Sequence, residues 1–401
     1  MTRVMFVVQR YGLEVHGGSE FLCRAVAEHL RDSVEVEVAT TCAVDYTTWK
    51  DVYPPGRDEV NAVPVWRFPV DAPRDLGRFN TLYERVLLIT HSREDEYEWM
   101  RSQGPYSTLF LQFLRDHERA YDAFVFFTYL YGTTFFGLPL VKERSILVPT
   151  AHDEPPVYLG IYGDLFRLPR GIIYCTPEER RFVAERVPSR RAREVVAGIG
   201  IDLERDGDAE RFRSRFGVEG PFLLYVGRID PSKGCDELFS YFRRYAKAHP
   251  GTLRLVVIGR SAMPVPKHAD IIALGYVSEE DKVDAYKAAR ALVMPSRYES
   301  LSIVLLEAWA QSTPALVNGA CEVLTGHCKR SNGGLYYTTY EEFEECLIFL
   351  LETPQARQQM GRNGAAYVRE HYRWETARNA YLEMIEWVAS GAAGGSERGS
   401  E

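Results

Sequence analysis

No run of apolar residues in this 401-residue chain approaches the ~18 needed to cross a bilayer. The apolar run near the start, Val4–Val8, is short and leads directly into a polar loop. It reads as a first core strand and not as a signal peptide. There is no basic excess: 48 Lys and Arg stand against 56 Asp and Glu, for a net charge of −8. That argues against a nucleic-acid binder. The seven cysteines form no CxxC pair, a usage that fits a reducing cytoplasm and not a disulfide framework. Cys321, His327 and Cys328 lie close in sequence, but their spacing fits no usual structural zinc site. No G-x-G-x-x-G follows the first strand, and Val38-Ala39-Thr40-Thr41 closes the second without an acidic residue, so a nicotinamide cofactor is unsupported. No Asp-x-Asp stands after a strand to hold a divalent ion, and no metal or cofactor is expected. The end of the chain, Gly391–Glu401, carries no large apolar side chain and is expected to be a flexible tail.

What is present is a repeated α/β pattern. With 46% hydrophobic residues, the length suits two domains, each with its own core. In the first half Val4–Val8, a glycine-bearing loop, and a helix with Phe21, Leu22, Ala25, Val26 and Leu30 on one face lead to a second strand through Val34, Val36 and Val38. This opening is typical of a doubly wound sheet. Ala123–Phe127 and Ser145–Pro149 continue it, after a longer, aromatic, more helical stretch between about Pro69 and Tyr121. A second series has strands at Phe222–Val226, Leu253–Ile258, Ile271–Leu274, Ala291–Met294 and Ala315–Val317. Ser278 with Asp281, and Thr339 with Glu342, read as capping boxes. The expected organisation is a Rossmann-like domain over 1–203, a second over 204–373, a last helix over 374–390 and the tail over 391–401.

Three motifs could carry chemistry. Gly17-Gly18, with Ser19 and Glu20, lies between the first strand and helix, where glycine lets a ligand approach the backbone and helix amides can hold an anion. An ordinary strand-to-helix turn would read the same way. Gly227-Arg228-Ile229-Asp230-Pro231-Ser232-Lys233-Gly234 follows a parallel strand, and its two cations suit a diphosphate there. The other reading is two solvated surface charges. Glu299-Ser300-Leu301-Ser302-Ile303-Val304-Leu305-Leu306-Glu307 follows a buried strand and opens a helix. Two carboxylates eight residues apart would span ~12 Å along a helix, about the reach from a donor's sugar to its ribose. The amides of Ser300, Leu301 and Ser302 would face the phosphates. Alternatively, Glu299 is a cap and Glu307 a surface residue, although Leu305, Leu306, Ala308 and Trp309 are unusual company for an idle carboxylate.

Strand-GRIDPSKG, then MPSRYESLSIVLLEAWA, then TPALVN, resembles the family-4 retaining glycosyltransferases (glycosyl transferases group 1) of the GT-B fold. HGGSE, AHDEPP, YCTPEE and GIGID extend the resemblance through the first half. The family commonly has Phe-Gly after the first Glu, where this chain has Ser300-Leu301. It often has Gly-Gly where Ala320-Cys321 stands. The resemblance implies two Rossmann-like domains facing across a cleft, with the last helix crossing back to the N-terminal domain. It implies a hexosyltransferase that moves a sugar from a nucleotide diphosphate donor with retention and without metal. Glu299 would meet the sugar's hydroxyls, Glu307 the ribose, and Arg228 and Lys233 the diphosphate. His152 would line the donor site from the N-terminal domain. The acceptor, a sugar, glycan or lipid-linked hydroxyl compound, would belong to the N-terminal side. A non-catalytic sugar- or partner-binding homologue and a nucleotide-sugar epimerase are the alternatives. The basic stretch Arg180, Arg181, Arg186, Arg190, Arg191 and Arg193 could touch an anionic membrane, but a solvated helix face is the simpler reading.

Overall fold

The computed structural model describes residues 1–188 and 191–391. Arg190 of the basic stretch, and the expected tail beyond Gly391, lie outside the described residues. The chain divides into two compact units, one made of Met1–Ile199 with the chain from Glu375 onward, the other of Gly200–Trp374. The division falls a few residues before the position expected from the sequence. Among the described residues no helix is long and apolar enough to cross a membrane.

In the first unit β1 (Arg3–Val7), β2 (Glu35–Thr41), β3 (Gly56–Val60), β4 (Val63–Phe68), β5 (Ala123–Phe127), β6 (Ser145–Val148), β7 (Gly171–Tyr174) and β8 (Arg193–Val196) form one sheet in the order β3-β4-β2-β1-β5-β6-β7-β8. All neighbours are parallel except β3, which returns antiparallel along β4 at the edge. The chain runs from β1 outward to one side and resumes at β5 on the other. The carboxyl ends of β1 and β5 therefore flank a topological switch point, where doubly wound sheets bind ligands. The aromatic stretch after β4 folds into helices Leu76–Leu88, Arg93–Gln103 and Thr108–Asp116. Trp99, Phe110 and Leu114 from two of these helices join the buried core with Met5, Phe124 and Phe126.

The last helix, Trp374–Ala389, buries Ala377, Tyr381, Met384, Ile385 and Val388. From Glu375 on it belongs to the first unit. A side chain at Gly171 would meet Met384 Sδ at 2.5 Å, and the Arg170 and Arg193 guanidinium groups lie 5.0 and 5.6 Å from the Trp387 ring. Because Ile385 is fully buried, Ile385→Ala should destabilise the first unit by about 2–5 kcal/mol, measurable by urea unfolding. A loss below about 0.5 kcal/mol would mean that this helix is only loosely attached.

The second unit carries β9 (Phe222–Val226), β10 (Arg254–Ile258), β11 (Ile271–Gly275), β12 (Ala291–Met294), β13 (Ala315–Asn318) and β14 (Gly334–Tyr337), all parallel, in the order β11-β10-β9-β12-β13-β14. The polar stretch Asp202–Glu219 before β9 carries the helix Ala209–Phe216. Both expected capping boxes have their backbone bond: Ser278 Oγ accepts from Asp281 N at 3.1 Å, and Thr339 Oγ1 from Glu342 N at 3.2 Å. The switch point of this sheet lies between β9 and β12. The two loops that leave those strands are Gly227–Gly234 and Pro295–Ser302.

Candidate active site

The loop after β9 is a compact turn built on Asp230. Its carboxylate accepts from Lys233 N at 3.2 Å and also from the Ser232 hydroxyl and Arg228 Nε. Burial pushes the Asp230 pKa up, but the Ser232 bond and the Arg228 charge outweigh it and hold the carboxyl below its ordinary range. Arg228 Nη2 reaches Ser232 Oγ at 3.2 Å, and Tyr225 OH donates to Arg228 O at 2.6 Å. Gly234 has φ +74°, and a Cβ there would run into the Pro295 carbonyl. Both the left-handed backbone and the close approach require glycine. The turn thus packs directly against the start of the second loop.

That approach brings Lys233 to Glu299, 66 residues away in sequence: Nζ lies 2.8 Å from Oε1, with the side chains 33% and 13% exposed. The loop bearing Glu299 is itself braced. Asn318, at the end of β13, donates to Pro295 O at 2.9 Å and to Glu237 Oε1 at 3.2 Å, and Glu237 pairs with Arg297 at 3.0 Å. Leu301 and Cys321, two departures from the family pattern, are buried, and the Cys321 thiol is pushed up to about 11, chiefly by burial.

The helix after this loop begins at Ile303, later than expected, with Ser302 in the left-handed region (φ 65°) as its N-cap. Glu299 therefore precedes the helix, and the two carboxylates are not on one helical rod. The amides of Ser300, Leu301 and Ser302 belong to the approach to the helix. Glu307 is on the helix, and its oxygens accept from Lys282 Nζ at 3.1 Å and Tyr286 OH at 2.8 Å. Burial pulls the Lys282 ammonium pKa down, but Glu307 and Glu279 outweigh it and leave it raised. A carboxylate has about four lone-pair sites, so Glu307 retains capacity for further donors.

Sequence reasoning missed the residue that supports this loop from below. His327 is fully buried, with Nε2 3.0 Å from Leu301 O and Nδ1 3.2 Å from Tyr367 OH. A carbonyl can only accept, so Nε2 carries the proton and Nδ1 accepts. Burial first, then the Arg330 charge, pushes its pKa down to about 3, so the ring stays neutral. The Leu301–Ser302 peptide is planar and trans. Pinning its carbonyl toward His327 turns the Ser302 N–H the opposite way. His327→Phe should lower kcat/KM by about 10-fold through loss of this bond, while His327→Gln, which keeps a donor, should recover part of it. The sign of the pH effect follows from the depressed pKa. The unfolded chain binds the proton from about pH 6.5 down, so this contribution is complete above that pH and is lost as pH falls toward 3. Urea melts of wild type and His327→Phe across that window should show the variant with the shallower acid slope.

In the first unit Gly17 precedes the helix Gly18–Leu30. A Cβ on Gly17 would crowd the Glu20 carboxylate, whereas Gly18 faces open space. His152 follows β6, with Nδ1 3.3 Å from Glu154 Oε1, and Glu154 accepts a hydrogen bond from Tyr129 OH at 2.6 Å. Glu179 fixes the start of that loop. It accepts from Ala151 N and Cys175 N, each at 2.6 Å, and burial pushes its carboxyl up to about 8. Glu154 and Glu179 stand in AHDEPP and YCTPEE. Their signal was a carboxylate next to the expected histidine and one in the first turn of a Thr-capped helix.

Comparison with known proteins agrees with this architecture. Residues 206–367 match the family described as Glycosyl transferases group 1. A D-inositol 3-phosphate glycosyltransferase of Acidothermus cellulolyticus is 33% identical over 145 residues, 31% of this chain and 32% of its own length. A mannosylfructose-phosphate synthase of Agrobacterium fabrum is 32% identical over 241 residues, 54% of this chain and 52% of its own. The alignments thus span between a third and about half of these relatives. Among solved structures, Anabaena HepE in complex with UDP-glucose superposes with a TM-score of 0.71 at 15% identity, covering 96% of this chain and 100% of that one. The fold is GT-B, and the segment 206–367, which holds Arg228, Lys233, Glu299 and Glu307, is similar to the group 1 glycosyltransferases.

Proposed function

We propose that the protein is a retaining, metal-independent glycosyltransferase that moves a hexose from a nucleoside diphosphate sugar to an acceptor hydroxyl. The observation that carries this reading is the meeting of Lys233 and Glu299 at the switch point of the second sheet. One cation and one carboxylate stand together where a diphosphate and its sugar would join. Arg228 and Lys233 would offset the charge that develops on the departing diphosphate. Glu299 would hold the sugar's hydroxyls and Glu307 the ribose. His152 would give the donor a further hydrogen bond. The bound UDP-glucose of HepE supports a nucleotide-sugar donor.

In this mechanism the acceptor oxygen forms a bond to the anomeric carbon on the face from which the diphosphate departs. The bond from that carbon to the diphosphate oxygen breaks, and its electron pair leaves with the diphosphate, which takes the acceptor's proton. The protein's share is positioning and electrostatic stabilisation of an oxocarbenium-like sugar. A cytoplasmic setting suits the seven unpaired cysteines and a nucleotide-sugar substrate.

Screening UDP-, GDP- and ADP-sugars for transfer or hydrolysis tests the activity. Epimerisation, or binding without turnover, would replace it with one of the other two readings. The same assay tests the metal. With two protein cations in the loop after β9, activity should survive EDTA within about twofold, since positioned Arg and Lys do the work of a bound ion. Complete loss, restored by Mg²⁺ or Mn²⁺, would refute metal independence.

A further inference from the structure

Glu307 is gripped from one face of a neighbouring helix. Lys282 and Tyr286 stand four residues apart on the helix Glu279–Ala288, so their side chains leave it on the same side. Glu307 lies on the next helix, Ile303–Ala310. Lys282 Nζ meets its Oε1 at 3.1 Å, and Tyr286 OH donates to its Oε2 at 2.8 Å. Each oxygen thus has a donor of its own. A glutamate left untied samples several rotamers and loses that freedom when it meets a ligand. Here both ends of the carboxylate are fixed in advance.

The two donors are themselves held. Tyr286 is fully buried, and its carbonyl accepts from Thr313 Oγ1 at 2.6 Å. Burial, with the Glu307 charge beside it, keeps the phenol well above its ordinary range, so it stays a donor. Lys282 is shared, lying 2.7 Å from Glu279 Oε2 as well as beside Glu307. The other carboxylates of this helix have cations of their own: Glu280 pairs with Arg211 at 3.1 Å, Asp281 with Arg215 at 2.9 Å and Asp284 with Arg211 at 2.5 Å. Among the described residues no second cation lies within ion-pair distance of Glu307. Two carboxylates around one ammonium keep a net negative charge, which favours neutral hydroxyl donors over an anion. The Glu307 side chain is 19% exposed, so its oxygens are not sealed in. Of about four lone-pair sites two are taken, which leaves about one on each oxygen. Two open sites side by side suit two hydroxyls on adjacent carbons.

We propose that Lys282 and Tyr286 are positioning residues that turn both oxygens of Glu307 toward the vicinal hydroxyls of the nucleotide's ribose, and that the preference for a ribonucleotide over a deoxyribonucleotide depends on them. That Glu307 meets the ribose rests on the reading above; the grip of the two donors can fail independently of it.

Calorimetric titration of the full chain with UDP, GDP and ADP, and with their 2′-deoxy forms, tests this. Wild type should bind at least one ribonucleoside diphosphate about 10-fold or more tighter than its deoxy form, the worth of one hydrogen bond to a charged group. Tyr286→Phe keeps the buried ring and removes the hydroxyl, and Lys282→Met keeps the stem and removes the charge. Each should bring that ratio down to about threefold or less, whereas Lys282→Arg should keep part of it. A substitution that merely loosens the domain would weaken both forms alike and leave the ratio unchanged. In transfer assays Tyr286→Phe should raise KM more than it lowers kcat, because the ribose contact is alike in the ground and transition states. Glu307→Gln separates the outcomes. If it abolishes the ratio while folded Tyr286→Phe and Lys282→Met keep it, the positioning role is overturned and the ribose contact stands. If Glu307→Gln keeps the ratio, or wild type shows no ratio or binds none of the nucleotides, the ribose contact is overturned and the positioning role with it.

Discussion

Lys233→Ala should lower turnover by about 10²-fold or more, the usual scale for loss of a group that meets charge only in the transition state. The geometry makes the variant readable. Lys233 is a third exposed, so its pair with Glu299 is worth at most about 1 kcal/mol to folding. The turn that carries it is fixed by Asp230 and by Gly234, neither of which the substitution touches. A folded variant with intact donor binding and slow turnover would place the effect on the departing diphosphate. Lys233→Arg should recover little, because a planar fork does not reproduce a point charge in a tight turn. A change under twofold would return Lys233 to the reading of a solvated surface charge.

The parts of the fold that could be read in the sequence are the buried ones. Ala123–Phe127, Phe222–Val226 and Ala291–Met294 are strands over the residues expected from their apolar runs. β3 and β4 went unread because most of β3 is exposed and polar and β4 contains a proline. β7 and β14 open on glycine and β8 on Arg193 and Glu194, so none of the three carries an unbroken apolar run like that of Ala291–Met294. The site shows the same division. Glycine and charge at fixed offsets from a strand pointed to Arg228, Lys233 and Glu299, since loops at the carboxyl ends of neighbouring parallel strands meet in space. The start of the helix at Ile303 was not legible, because Ser302 caps by a left-handed backbone and not by a side-chain bond. Nor was the support from His327, which reaches Leu301 from another helix. Contacts made across the fold by lone polar residues leave no local pattern. The partners of Glu307 were missed for the same reason, although its apolar neighbours had already marked the carboxylate as unusual.

Glu299→Gln should reduce turnover by roughly 10²-fold while changing the apparent affinity for donor by only a few fold. The substitution keeps the size and one acceptor oxygen, so the sugar's hydroxyls still find a partner in the ground state. What it removes is the negative charge, which matters most as the anomeric carbon becomes cationic. The same charge orients Lys233 at 2.8 Å, so the two residues are coupled, and their effects should not multiply. A Lys233→Ala, Glu299→Gln double variant should therefore be slowed by clearly less than the product of the two single effects. Product NMR is the deciding measurement for both wild type and single variant. An α-linked donor should give an α-linked product in each, because in the proposed mechanism Glu299 would stabilise the reacting sugar without bonding to it. A β-linked product from wild type would overturn the retaining mechanism. A covalent glycosyl adduct on Glu299, found by mass spectrometry of wild type and absent from the Gln variant, would make this carboxylate a nucleophile.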